Sequence, residues 1–209
     1  MVKRKKLTPE GIVREAIQLL DKQGYKNFSM RRLANYCGVD PMALYYHIPN
    51  RAALIGLVVE EVVGKCELPA AGLAWQEAVR QVCRGFRKVA HEHPGVIQVY
   101  DEFEDWIPGE HRLIEALHVA FESGGFDKQG IVRGSRLVLA YTENFCAWEL
   151  DEWLDPYTPE MRHELLDSLE QGDYPVTMTL IDETTDVDCD TEFEFGLDVL
   201  IQGLEVRLT

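Results

Sequence analysis

Residues Phe28–His47 constrain this chain more than any other stretch, because they spell two short helices joined by a tight turn. Ser29 is placed to cap the first helix, its hydroxyl accepting from an N–H that the first turn leaves unpaired. Leu33 and Ala34 form its apolar side. Gly38 ends it, since glycine enters the left-handed C-terminal conformation without a Cβ penalty. Asp40 caps the second helix and Pro41 takes its first position, where a missing N–H costs nothing. Leu44 points inward, which leaves Ala43, Tyr45, Tyr46 and His47 for other surfaces. This is the layout of a helix-turn-helix, whose second helix lies in the major groove of DNA. Two packed helices of an all-α core share that layout, and charge separates the two readings. Residues 1–50 hold nine Lys and Arg against four Asp and Glu, a net +5, whereas residues 51–209 hold twelve against thirty-two, a net −20. A basic head on an acidic body is the electrostatic footprint of phosphate binding.

The runs Ser29-Met30-Arg31-Arg32-Leu33-Ala34, Gly38-Val39 and Ala43-Leu44-Tyr45-Tyr46-His47-Ile48-Pro49-Asn50-Arg51 resemble the DNA-binding domain of the tetracycline-repressor (TetR) family. The chain end, Phe193 to Glu205, is similar to the last helix of the tetracycline-repressor branch. The resemblance implies DNA contacts at Arg31, Pro41, Met42, Ala43, Tyr45, Tyr46, His47 and Arg51. It also implies a four-helix dimer interface, built from the last helix and the long helix around residues 127–154 of each subunit. One departure is plain. Where the tetracycline repressor holds its magnesium-chelated drug with a His and an Asn, the matching positions here are Glu67 and Val82, both unsuited. Phe86 and Glu149 do match family pocket positions. An effector other than tetracycline is expected.

A chain of 209 residues, 46% hydrophobic, is long enough for a real core and ordinary for a globular protein. No run approaches the roughly 20 apolar residues of a membrane span. The charged N-terminus runs straight into a helical pattern, with no apolar segment for secretion. The five cysteines are odd in number and widely spaced, which points to reduced thiols and not to a disulfide framework or a zinc site. A cytoplasmic chain without cofactor or metal is the expectation.

In chain order, Thr8-Pro9 starts a first helix and Gly24 stops it, with Ile12, Ala16, Leu19 and Leu20 on one face. Asn50 can cap a fourth helix running to about Cys66, the mechanical link from head to body. The spacing predicts further helices over Trp75–Glu92, Glu110–Glu122, Asp127–Leu154 and Thr158–Glu170. Pro94-Gly95 reads as a stop followed by a short apolar turn. Val176–Ile181 is β-branched but has no partner strand, so it reads as helix or loop. Thr191-x-x-Glu194 reads as a capping box for the last helix. The fold class is therefore all-α, with a helix-turn-helix DNA-binding head over residues 1–50 and a helical effector-binding and dimerisation body over residues 51–209.

Within the recognition helix, Tyr45, Tyr46 and His47 can hydrogen-bond phosphate oxygens, while Pro41, Met42 and Ala43 sit where base edges are read. The alternative for Tyr45 is a partly buried ring with a wet hydroxyl. The last helix carries Phe193, Leu197, Leu200 and Leu204 on one face and Gly196 and Gly203 on another. The long helix has a matching pattern in Gly134, Leu137, Val138 and Tyr141. Glu143 and Asn144 lie within an apolar run and need partners. They either help form a ligand pocket, with Phe86, Tyr100, Phe103, Trp106, Trp148 and Glu149, or pair with each other facing solvent. His91 and His93 are two apart on a helix and so face away from each other, unlike metal ligands. The expected function is a homodimeric repressor that binds operator DNA and is released by a small-molecule effector. The effector suited to aromatic rings and carboxylates is aromatic, and neutral or cationic. The competing reading is a helical small-molecule-binding or catalytic protein, but no nucleophile–base pair stands out.

Overall fold

The structure, a computed structural model, describes residues 7–100, 108–151, 157–170, 172 and 174–207. Twelve α-helices follow one another, with no strand among the described residues. Two compact units divide near Ala147.

The first unit opens with α1 (Pro9–Gln23), a 3-10 turn (Tyr25–Asn27), α2 (Met30–Cys37), α3 (Pro41–His47) and α4 (Arg51–Val63). Each of the four helices starts where its capping residue demands. Thr8 accepts from the Gly11 N–H at 3.1 Å, Ser29 from Arg32 at 3.2 Å, Asp40 from Met42 at 2.8 Å and Asn50 from Ala53 at 2.8 Å. Gly38 adopts φ +66°, the left-handed conformation that lets α2 stop and the chain turn into α3. Ile12, Ala16, Leu20, Leu33, Ala34, Leu44 and Leu54 have no exposed surface and form the core of this head.

The same unit continues through α5 (Trp75–Glu92), α6 (Pro94–Tyr100), α7 (Pro108–Ser123) and most of α8 (Lys128–Leu150). The linker turn after α4 holds two short bonds, Lys65 N–H to Val62 O and Cys66 N–H to Val63 O, so α4 itself ends three residues earlier than its apolar pattern suggests. Pro94-Gly95 opens a helix where the sequence suggested only a stop. Proline needs no N–H partner in a first turn. Glycine is required beside it, because a Cβ at residue 95 would lie 2.1 Å from the Leu20 carbonyl oxygen of α1. That contact seats α6 against the head. Next to it, His93 Nδ1 lies 2.8 Å from Asp21 Oδ2; the carboxylate accepts, so the ring nitrogen donates. In α8, Gly134 and Val138 are buried, and a Cβ at Gly134 would lie 3.0 Å from the Phe121 ring. Gly134 therefore serves packing within the protomer, whereas Leu137 faces out.

The second unit holds α9 (Pro159–Glu170), α10 (Pro175–Thr179), α11 (Ile181–Thr185) and α12 (Cys189–Glu205). Arg162 pairs with Asp182, which ties α9 to α11. The β-branched stretch 176–181 is helical but for Leu180. The cap of α12 is Asp188, not Thr191: Asp188 Oδ2 accepts from the Thr191 N–H at 3.3 Å, and the Thr191 hydroxyl also donates to it. Two acceptor side chains three residues apart compete, and the earlier one adds a turn to the helix. The buried face of α12 is Phe193, Leu197, Ile201 and Leu204, with Leu200 only partly covered. No described helix is long and apolar enough to cross a membrane.

Candidate nucleic-acid interface and effector body

Leu44 and Ile48 anchor α3 in the head core, with 0% and 1% of their surface exposed. The rest of the helix is thereby turned outward. Met42 is 72% exposed and Tyr46 86%; Tyr45, at 40%, keeps part of its ring covered. Pro41, Ala43 and His47 are half-buried, and Arg31 and Arg51 are exposed. The Tyr46 and His47 rings meet edge to face at 5.2 Å, which steadies both. The Arg51 guanidinium sits 4.7 Å from the centre of the Tyr25 ring, a cation–π contact that fixes the start of α4 beside the recognition helix. Arg32 is not free to follow Arg31: its Nη1 donates to the Asn27 carbonyl at 3.0 Å. The head thus offers one outward surface from α2, α3 and the start of α4. It carries hydroxyl and imidazole donors, a thioether and guanidinium groups, a set suited to phosphates and thymine methyl groups.

The proposed ligand residues are less coherent. Phe86 is 2% exposed and part of the α5 core. Glu143 and Glu149 are half-buried, and both already engage neighbouring groups. Asn144 is exposed, its amide donating to the Ala140 carbonyl of its own helix at 2.8 Å. Trp148 is more than half exposed. Phe103 and Trp106 lie outside the described residues, as does the side chain of Tyr100. Glu67, at the position of the drug-binding His, is exposed and pairs with Lys88 at 3.1 Å, a partner that raises the Lys88 pKa; Val82 is buried. A groove of about 670 Å³ opens elsewhere, between the 68–73 linker and the outer side of α7, lined by Leu68, Leu73, Arg112, Val119 and others. No sequence signal marked it, because its walls are 40 residues apart in the chain.

An outward recognition helix on a capped three-helix head, joined by one helix to a larger helical body, defines a helix-turn-helix protein of two-part design. Its relatives agree. The family of bacterial regulatory proteins named for tetR matches residues 12–58, and the tetracyclin repressor-like C-terminal domain matches residues 68–208. The chain belongs to the tetracycline-repressor family. It is 26% identical to the HTH-type transcriptional repressor DrrR1 of Streptomyces coeruleorubidus, over 96% of this chain and 78% of that one. It is 25% identical to the class A tetracycline repressor protein of Escherichia coli, over 97% and 92%. Among solved structures it is similar to the TetR family protein ActR of Streptomyces coelicolor in complex with actinorhodin, with 26% identity, 98% and 99% coverage and a TM-score of 0.84.

Proposed function

We propose that this chain is a ligand-responsive transcriptional repressor, binding operator DNA as a homodimer and leaving it when a small aromatic molecule occupies the body. The observation that carries the reading is α3: its Leu44 is buried while Met42 and Tyr46 stand in solvent at the surface of the basic segment. Tyr45, Tyr46, His47, Arg31 and Arg51 would hold phosphates, and Pro41, Met42 and Ala43 would meet base edges. These donors are few, so DNA shape supplies part of the selectivity. Two recognition helices of a dimer must meet successive major grooves about 34–36 Å apart. An effector that changes their separation ends the fit. The body's acidic balance, with Glu143 and Glu149 on α8, favours a neutral or cationic guest over an anion. The complex of ActR with actinorhodin supports a small-molecule guest. As a DNA-binding regulator the chain has no catalytic role in this reading.

The experiment is a selection of duplexes from a random library by the full chain, followed by a thermal-shift screen. Cationic dyes, neutral aromatics, actinorhodin, and fatty acids or acyl thioesters are tried side by side. A stabilising aromatic that also lowers duplex affinity supports the reading. Stabilisation by the anionic lipids alone contradicts the acidic-body argument, and failure to enrich any duplex contradicts the repressor itself.

A further inference from the structure

Helix α7 opens on Pro108, which has no N–H to satisfy. The next N–H, that of Gly109, donates to Glu60 Oε2 at 2.5 Å. Glu60 lies 49 residues earlier, on α4. A carboxylate is thereby held at the positive end of α7, where both the unpaired N–H groups and the helix dipole favour it. Gly109 is buried, and a Cβ there would lie 3.1 Å from both Glu60 Oε2 and the Gly64 nitrogen, so the close approach depends on glycine.

One turn along α7 the relation is reversed. Arg112 Nη1 donates to the Gly64 carbonyl at 3.1 Å, at the C-terminal end of α4. A cation now meets the negative end of the other helix. Glu60 and Gly64 are four apart on one face of α4, and Gly109 and Arg112 are three apart on one face of α7. Each helix caps the other. Apolar packing between two helices tolerates small slides, whereas directional hydrogen bonds to helix ends fix register and rotation.

We infer that this reciprocal cap, Glu60 to Gly109 and Arg112 to Gly64, is the joint through which the body passes its state to the DNA head. The inference rests on the regulator reading and assigns its coupling to four residues. α4 is the helix that follows the recognition helix in the chain, with its other end capped by Asn50 beside α3. α7 packs on α5 and α4 within the body. A shift of α7 along or about its axis is carried to the far end of α4 without slippage as long as both caps hold. Glu60 and Arg112 act as positioning residues and touch no DNA.

Coupling is reciprocal, so DNA binding must reach α7 as surely as an effector must reach α3. The test therefore needs only DNA. The probe is a duplex enriched by the full-length wild-type chain, and the readout is hydrogen exchange in peptides covering residues 41–47 and 108–123, with and without duplex. In the wild type, the duplex should slow exchange in α3 and change it at least about fivefold in the first turn of α7, the low end of the roughly 5–150-fold range of known couplings. In Glu60→Ala the α3 protection and the duplex affinity should persist within about threefold, while the α7 response disappears. Glu60→Gln, which keeps an acceptor but no charge, should fall between. If Glu60→Ala does not unfold cooperatively, Arg112→Met removes the other half of the cap and should give the same loss. An α7 response that survives in these variants overturns the inference, and so does a wild type in which α3 is protected and α7 is silent. If α3 itself is never protected, it is the regulator reading that fails, and the joint with it.

Discussion

Tyr46 projects further into solvent than any other large side chain of the recognition helix, and its ring contact is with the neighbouring His47 rather than with the core. Tyr46→Ala should therefore leave thermal stability unchanged and weaken duplex binding about tenfold, or ~1.4 kcal/mol. Arg31→Ala should do the same and also lower the salt dependence by about one counterion. Leu44 is the control, because its truncation on the same helix removes a fully buried side chain and should cost about 2–5 kcal/mol of stability, read as a lower denaturant midpoint. The cysteines sort by the same logic. Burial pushes the Cys66 thiol up to about 11, against a weaker opposing pull from Arg112. Burial, then Glu15, raises Cys37 as well. A thiol whose folded value is raised stays neutral below the ordinary thiol range, and the stability it contributes is lost as pH rises toward the folded value. Native protein at pH 7.5 should leave Cys66, Cys83 and Cys146 unlabelled by iodoacetamide, with only the half-exposed Cys37 and Cys189 reacting slowly. Fast labelling of Cys66 would contradict its burial.

At the scale of elements, the helix starts were readable because a cap is a local event. Thr8, Ser29, Asp40 and Asn50 each bond an N–H two or three residues ahead, so the sequence alone placed α1 to α4. At α12 the Thr191 box is not the cap that forms, because Asp188, three residues earlier, can also cap and local pattern does not rank the two. Residues 176–181 looked strand-like by side chain, but a strand without a partner leaves its backbone unpaired, and short helices satisfy it. What local pattern could not show is where one element grips another. Gly95 read as a helix stop, yet its small size admits the Leu20 carbonyl. His93 read as one of two histidines facing apart, yet it bonds Asp21, 72 residues away. Gly95→Ala should force α1 and α6 apart and cost about 1–3 kcal/mol, the usual effect of overfilling a packed contact. A melting temperature unchanged by this substitution would show that the two helices yield freely.

For the whole molecule, the sequence divided head from body by charge, and the basic segment does carry the outward recognition helix. The effector residues were less legible, because a pocket gathers side chains from distant helices, and a residue type in a helix does not reveal which way it turns. Asn144 satisfies itself on its own helix, and Trp148 faces solvent. Self-association belongs to this scale. Phe195 is 66% exposed on α12, and a Cβ at Gly203 would meet nothing within 4 Å of its own chain. Gly203→Leu should therefore fold normally yet weaken the dimer by overfilling a close crossing, seen as a monomer in sedimentation. An intact dimer would place the interface elsewhere. The central claim is that the basic head binds DNA through phosphates and a recognition helix. It is tested most directly by the affinity of the full chain for an enriched duplex at roughly 50 and 200 mM salt. The account predicts a loss of at least about tenfold across that range, with the Tyr46→Ala chain weaker at both concentrations. An affinity that does not change with salt, or that Tyr46→Ala leaves untouched, would contradict it.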